Sequence, residues 1–410
     1  MMRSSARRCA LASTLAVLPS LLGAQERLIT TRSVAVGASF DRITFGGAGL
    51  AQASFAGVDT TRVSSASQVT LPVAASSALG SGWRLDITAL YGQGDVRYRT
   101  TNRTDASATL AGISDVRVRA TGRLLRDNIV LTLGANVPSG RTELNVNEFS
   151  ALRILAAPAL GVSSAPVGAG ASGLVGLVVA QEVRGWAVAY GTSYEARGRF
   201  QPVAALVAGT GTADFLPGGV VRASLSADRL VGRHRLSLAA AADVFADDRL
   251  RNTTLGDSAA RSDTRVRLGP VLSGDAQLQI AAPRVRELLT YASYRWRAPF
   301  ARDGRTVEQS SGQYLEVGVR SVWPLATGRD LLIGADGRWH SGLGIDQGLP
   351  TAGVTSVGVT SGVQWSTGPL SLQPYVRGQL GTLRQRSTLS PSVSQSFVGL
   401  GGGLIVVTRF

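Results

Sequence analysis

The chain has 410 residues, and its 42 basic residues outnumber its 27 acidic residues, which gives a formal net charge of +15. Every basic residue is arginine, which fits a genome rich in G and C as well as any function, and the arginines are scattered along the chain. Nucleic-acid binding is therefore not expected, because it would favour a basic tail or a basic helix. A composition of 44% hydrophobic and 17% charged residues is too apolar for a disordered chain.

The N-terminus has the three parts of a secretory signal. Its first eight residues include three arginines, an apolar stretch follows over residues 10–22, and the small residues Gly23-Ala24 form the end of the predicted cleavage region. We expect a cleaved signal peptide over residues 1–24 and a single β-barrel domain over residues 25–410. The only cysteine, Cys9, leaves with the signal, so disulfides, thiolate metal sites and cysteine nucleophiles are excluded from the mature chain.

From about residue 31 onward, apolar side chains recur at every second position in short stretches, the pattern of β-strands. Short turns are predicted near residues 79–82, 126–128, 184–185, 231–233, 281–284, 327–330 and 367–369. Long loops are predicted after Phe40 through Ser65, before Val116, and near residues 138–171, 197–218, 245–263, 298–310, 341–353 and 382–395. These connections separate about sixteen strands, with fourteen as the alternative count, in an all-β, antiparallel, up-and-down transmembrane barrel. Its short turns would be periplasmic and its long loops extracellular.

The alternative fold is a soluble β-sandwich whose aromatic residues lie in the core. The barrel is favoured because the short and long connections alternate so regularly. Aromatic residues at strand ends would then form the membrane-interface girdles: Trp83, Tyr91, Trp186, Trp323, Trp339 and Trp365. Only about six residues, Gln25 to Thr30, precede the first strand, so no N-terminal plug is expected.

The last strand, Ser396 to Phe410, has one apolar face that includes Leu404 and Val406, and it ends on the aromatic Phe410. This stretch resembles the insertion signal of Gram-negative outer-membrane β-barrels. The resemblance implies an outer-membrane protein whose partners are membrane lipid and the barrel-assembly machinery. Monomer and trimer are both left open.

The polar faces of the strands carry charged residues that would project into the lumen if the apolar faces meet lipid. Arginine is in excess among them, so a hydrated pore would have a positive potential and prefer anions. Alternatively, the charges only form ion pairs along the barrel wall. The candidates are Arg84, Asp86, Asp115, Arg117, Arg119, Arg222, Arg265, Arg267, Arg295, Arg297, Glu316, Arg320, Asp336, Arg338 and Arg377.

The stretch Gly112–Thr142 has a Gly-x-x-Asp start at Gly112 and Asp115, a hairpin, and a strand that ends in Val137-Pro138-Ser139-Gly140. It resembles a hairpin of the outer-membrane family named after the meta-pathway of phenol degradation, whose members are similar to the long-chain fatty acid channel. The resemblance implies uptake of a hydrophobic or aromatic compound.

The longest connection, from Leu144 to Gly170, is predicted to contain a short helix capped by Asn147 and ended by Pro158. Such a loop either folds into the lumen, where it sets a constriction, or covers the outside of the barrel. The sequence leaves both arrangements open.

Catalysis and metal binding are not expected. The two histidines, His234 and His340, are predicted at opposite rims and have no triad partner or ligand spacing. No cofactor is expected, because the glycine-rich segments lack the context and the lysine of a phosphate-binding loop. The sequence therefore predicts an outer-membrane channel or transporter for small solutes, including hydrophobic or aromatic compounds. The alternative is a structural or surface-binding barrel without transport.

Overall fold

The computed structural model describes residues 32–410, except for residues 47–49, 53–60, 81, 100–104, 125–127, 156–159, 161–166, 204–209, 255–262, 309, 343–350 and 386–392. The predicted signal peptide over residues 1–24 lies outside the described residues. Within them, the chain is predominantly β-strand, with one α-helix.

The strands, in chain order, are β1 (Ser33–Phe45), β2 (Leu50–Gln52), β3 (Thr61–Ala78), β4 (Trp83–Arg99), β5 (Asp105–Ile113), β6 (Val116–Leu124), β7 (Ile129–Val137), β8 (Ser172–Val183), β9 (Trp186–Arg197), β10 (Phe200–Val203), β11 (Thr210–Leu216), β12 (Val220–Val231), β13 (His234–Phe245), β14 (Asp248–Thr254), β15 (Asp263–Arg267), β16 (Val271–Ile280), β17 (Glu287–Arg297), β18 (Ala301–Arg302), β19 (Arg305–Thr306), β20 (Gly312–Ala326), β21 (Arg329–Gly342), β22 (Thr351–Thr367), β23 (Leu370–Gln385) and β24 (Val393–Arg409). The helix α1 (Val146–Leu155) lies between β7 and β8.

A closed antiparallel barrel of sixteen strands is formed by these elements, which confirms the predicted fold class. It contains every strand except β2, β10, β11, β14, β15, β18 and β19, and β5 with β6 counts as one interrupted strand beside β4. Pairing of β1 with β24, from Ser33 opposite Arg409 to Phe45 opposite Phe397, closes the barrel. Closure leaves no open sheet edge, which hydrocarbon would not tolerate.

Tight turns join the strands at one end of the barrel. Arg184 and Gly185, between β8 and β9, have φ angles of 51° and 77°. Positive φ at both central residues is the type I′ geometry, whose twist matches that of the flanking strands. The longer connections all lie at the opposite end, as the sequence predicts.

The longer connections were predicted as loops, and several of them instead extend the sheet. β4 continues to Arg99 and pairs with β5 in a hairpin that projects past the barrel. Three other connections contribute a second sheet in the order β10-β11-β14-β15-β18-β19. The strands of the second sheet are short and mostly polar, so they lack the apolar alternation that marks the wall. The β4–β5 hairpin does have a buried face, which includes Val96 and Leu110.

The exterior of the wall is apolar. Val357 and Val359 of β22 are each 60% exposed, and Leu400 of β24 is 67% exposed. Trp323 and Trp365 are also exposed and lie near the tight-turn ends of β20 and β22. Trp339 lies near the opposite end of the barrel, on β21. This outer surface has the apolar band and interfacial aromatic residues that a barrel presents to lipid.

Candidate functional site: the lumen of the barrel

Side chains alternate between the lipid face and the lumen face of each strand. On β12, for example, Val221 and Leu225 are exposed on the lipid face, and Arg222 and Asp228 lie on the other. The same alternation places most of the predicted charged residues on the lumen face.

The most connected charged group crosses four strands, from β20 to β23. Arg338 lies 3.5 Å from the carboxylate of Glu316 and 3.4 Å from that of Asp336, and Arg377 donates to Asp336 at 2.7 Å. Tyr314 donates its hydroxyl to Glu316 at 2.7 Å. We call Glu316, Asp336, Arg338 and Arg377 the charged ladder. Its side chains are at most 20% exposed, and their mutual contacts compensate this burial.

Glycines allow the polar side chains to lie flat along the wall. Arg377 crosses β22 at Gly358, where an added Cβ would stand 2.7 Å from its Nη2 atom. The ring of Tyr291 lies over Gly318 in the same way. Side chains that lie flat occupy less of the central space, so these glycines keep the lumen wide as well as permitting close packing.

A second charged group lies on β4 and β6. Arg84 binds Asp86 at 2.7 Å, and Asp86 is directly opposite Arg119. Arg117 lies two residues before Arg119, on the same face, and its side chain is exposed. Glu195 of β9 is a further electrostatic neighbour of Arg119, so three arginines adjoin two carboxylates here, which leaves a net positive surface.

A third group lies on β12, β13 and β17. Arg222 lies 3.6 Å from Asp243, and Arg295 is an electrostatic neighbour of the same carboxylate. Nearby, Arg235 donates to Asp228 at 2.9 Å, and Ser237 also donates to Asp228. Arg235 and Asp243 were not predicted as site residues, although their alternation with Leu236 and Val244 places them on the lumen face.

Two further predicted arginines also lie on strands of the wall. Arg320 is opposite Leu289 and Gly334 on the lumen face of β20. Arg297, at the end of β17, is only 2% exposed and donates to the carbonyl of Ser310 at 3.1 Å. Arg297 therefore holds the connection after β17 rather than meeting water in the lumen.

Three of the predicted lumen residues lie elsewhere. Arg265 and Arg267 belong to β15 in the second sheet, outside the barrel wall. Asp115 lies between β5 and β6, is buried, and accepts bonds from the backbone N–H groups of Gly140 at 3.0 Å and Ala169 at 2.7 Å. Asp115 therefore holds the two ends of the connection between β7 and β8 together.

That connection folds against the lumen face of the wall. The α1 side chains Ile154 and Leu155 are 2% and 0% exposed, and Leu155 packs against Gly94 of β4. They join an apolar cluster from the lumen faces of β1, β3, β4, β5, β22, β23 and β24, which includes Ile43, Val96, Leu110, Leu383 and Phe397. In its described part, which includes α1, this connection therefore takes the inward arrangement.

The N-cap of α1 is Asn145, so the predicted cap at Asn147 is wrong. Asn145 accepts the backbone N–H of Glu148 at 2.9 Å, and Glu148 accepts that of Asn145 at 2.9 Å, which is a capping box. Burial acts to raise the pKa of Glu148, but the Asn145 N–H and the Arg141 guanidinium outweigh it and hold that pKa below its usual range. The predicted stop at Pro158 lies outside the described residues.

The wall across the barrel from α1 carries small residues on its lumen face. From β7 to β13 these are Gly134, Gly176, Ala189, Gly191, Ser193, Ser224, Ser226, Ala239 and Ala241. Small side chains on one wall leave space in the lumen that the long side chains and α1 take up on the other.

The two histidines lie at opposite ends of the barrel. His234 begins β13 next to a tight turn and accepts the backbone N–H of Ala281 at 3.3 Å. His340 lies near the far end of β21 and is 4% exposed. In the described part of the chain, no three His, Cys, Asp or Glu side chains are grouped closely enough to hold a metal ion.

A closed antiparallel barrel with an apolar exterior and a charged interior defines a transmembrane β-barrel of the Gram-negative outer membrane. Over the residues the structure describes, no helix is both long enough and apolar enough to cross a membrane.

No protein-family model matches the sequence, and no curated protein matches it. Among solved structures, the chain is similar to the high-pH structure of OprB from Pseudomonas putida, with 10% identity, 93% of this chain and 94% of that chain covered, and a TM-score of 0.45. It is also similar to a TodX deltaS2S3 mutant, described as a monoaromatic hydrocarbon channel, with 10% identity, 93% and 91% covered, and a TM-score of 0.43. A third is OmpT with loop L8 deleted, from Vibrio cholerae, with 9% identity, 92% and 99% covered, and a TM-score of 0.39. The fold assignment rests on the closure of the sheet itself.

Proposed function

We propose that this protein is a passive channel whose water-filled lumen passes small polar solutes and prefers anions. The observation that carries the proposal is the exposure of charged side chains on the lumen face. Arg222 and Asp228 are 37% and 36% exposed there. A dry barrel interior would impose a large desolvation cost on such groups, so water must reach them.

The preference for anions follows from the balance of charge along the space. Arg84, Arg117 and Arg119 lie near two carboxylates, Asp86 and Glu195. Arg222 and Arg295 share Asp243. The first group lies on β4, β6 and β9, and the second lies on β12, β13 and β17, so both lie in or beside the wall of small residues. A permeant anion beside that wall would therefore meet arginines with partly uncompensated charge.

Polar solutes are favoured over hydrophobic ones because α1 fills the apolar part of the lumen. Leu110, Leu155 and Leu383 are each 0% exposed, so these side chains of the apolar cluster pack against their neighbours and are not open to a solute. The resemblance of Gly112–Thr142 to a family that takes up aromatic compounds stays a prediction.

The test is single-channel conductance in a planar bilayer, with the reversal potential measured across a KCl gradient. Wild-type protein should give stable ohmic steps and a potential that favours chloride. Arg117→Gln with Arg119→Gln should shift the potential towards zero. Arg233→Gln with Arg329→Gln, which removes the same charge at the turn end of the barrel, should shift it much less.

A reversal potential that favours potassium would overturn the anion preference. Silence from folded protein would overturn the open channel, and it would favour a structural or surface-binding barrel.

A further inference from the structure

Arginines are concentrated on one face of the second sheet. Arg249 and Arg251 alternate along β14, and Arg265 and Arg267 alternate along β15. All four side chains are exposed. Arg249 and Arg265 are directly opposite each other across the strand pair. With Arg199, which precedes β10, we call these five residues the arginine patch.

The arginine patch faces away from the lumen. Arg197 continues the lumen face of β9 and binds Asp248 at 3.2 Å. Asp248 is buried and pairs with Val266, so both lie on the inner side of the second sheet. Because side chains alternate, Arg249 and Arg265 point to the outer side.

The charge of the arginine patch exceeds that of its carboxylates. Arg267 donates to Asp247 at 2.6 Å, and Arg249 and Arg265 are further electrostatic neighbours of that carboxylate. Arg199 and Arg251 adjoin Asp214 in the same way. Asp263 is directly opposite Arg251 on the same face, so five arginines adjoin three carboxylates in all.

The facing pair of arginines is itself unfavourable. Like charges directly opposite each other on a sheet destabilise it. An anion that bridges Arg249 and Arg265 would relieve this repulsion, and a phosphate group matches the planar guanidinium in a two-bond geometry.

The position of the arginine patch relative to the membrane indicates which anion would reach it. Val244, 54% exposed on the lipid face of β13, precedes Arg249 by five residues. Five residues of strand span at most about 17 Å. The arginine patch therefore lies within about 17 Å of the apolar band, a distance at which it can meet the phosphate groups of lipid headgroups.

We propose that the outer face of the second sheet binds the phosphate groups of a phosphorylated glycolipid in the outer leaflet. This site is independent of the proposed channel function.

The test is lipid binding to the purified, folded barrel in detergent, measured by native mass spectrometry. The probe is bisphosphorylated lipid A, compared with lipid A from which both phosphates have been removed. Arg249→Glu with Arg265→Glu should weaken binding of the phosphorylated lipid about tenfold or more. Arg233→Glu with Arg329→Glu makes the same charge change at the turn end and should leave the affinity within about twofold.

Arg249→Lys with Arg265→Lys is a second variant that keeps the charge and serves if the glutamate variant does not fold. It should bind a few-fold more weakly than wild type, because lysine cannot form the paired bonds of a guanidinium. Equal binding by wild type and both variants would overturn the proposal, and so would equal binding of the dephosphorylated lipid. Complete competition by inorganic phosphate at a few millimolar would show a site for free anions and overturn the lipid assignment.

Discussion

Gly358 of β22 lies directly beneath the guanidinium of Arg377, which passes over it from β23 to reach Asp336 on β21. The contact spans three strands, and it exists only because position 358 has no side chain.

Gly358→Ala should therefore destabilise the barrel. An alanine Cβ would stand 2.7 Å from Nη2 of Arg377 and 3.2 Å from Oδ1 of Asp336, so the guanidinium of Arg377 must shift and lose the present geometry of its bond to Asp336. Breaking a charged hydrogen bond of this kind should lower the free energy of unfolding by about 1–3 kcal/mol. Urea unfolding in lipid vesicles, followed by tryptophan fluorescence, measures it. The matched control is Gly378→Ala, where an added Cβ meets nothing within 4 Å. An equal loss in both variants would contradict the argument.

Leu155→Asp should release α1 from the wall. Leu155 is 0% exposed and packs on Gly94, so a carboxylate there would be buried among apolar groups, at a cost of several kcal/mol. The amides of α1 should then exchange with deuterium much faster, and the channel conductance should change because the helix enters the open space. Asn147→Asp, at an exposed position of the same helix, is the control. Unchanged exchange would show that the helix is held by other contacts.

Asp115→Asn should weaken the attachment between the two ends of the connection between β7 and β8. Asparagine offers one carbonyl oxygen, so the N–H groups of Gly140 and Ala169 can no longer each bond to a separate carboxylate oxygen. We expect a loss of about 1–3 kcal/mol in local stability. Tryptic cleavage after the exposed Arg141 should accelerate. Asp275→Asn, on the lumen face of β16, should leave cleavage unchanged; equal acceleration in both would point to a global effect.

The β10–β11 hairpin should be sensitive to acid. Hydrogen bonds from Arg199 and Gln201 hold the pKa of Asp214 below its usual range. A depressed pKa in the folded state contributes stability that is present above the unfolded pKa of about 4 and lost as the pH falls through the folded value. Amide exchange in β10 and β11, corrected for its intrinsic pH dependence, should therefore accelerate below about pH 4. Asp214→Asn should remove this acid-dependent component, and a variant with an unchanged profile would contradict it.

Much of the barrel wall was predictable from the sequence because the alternation of apolar and polar side chains is a local property of each strand. Alternation of Trp83, Leu85 and Ile87 with Arg84 and Asp86 is visible without any partner strand. Lipid requires a continuous apolar face, so each wall strand carries the signal independently. The tight turns are local as well, since a pair such as Arg184 and Gly185 sets its own backbone geometry.

The lumen was only partly predictable, because ion pairs depend on register. The alternation on β12 places Arg222 on the lumen face, but nothing in β12 shows that Asp243 is its neighbour. In the sequence, Asp115 alternates with its neighbours in the same way as a lumen residue. Only the tertiary contacts with Gly140 and Ala169 show that it anchors a connection instead.

The sequence by itself determined that this chain is a barrel with an apolar exterior and a charged interior, because alternation within a strand is a property of consecutive residues. The tertiary structure alone decided which charges meet, that α1 folds inward, and that Arg265 and Arg267 lie on an outward-facing second sheet. Each of these depends on contacts between segments far apart in the chain, where strand register and the space left by glycines such as Gly358 determine which side chains meet.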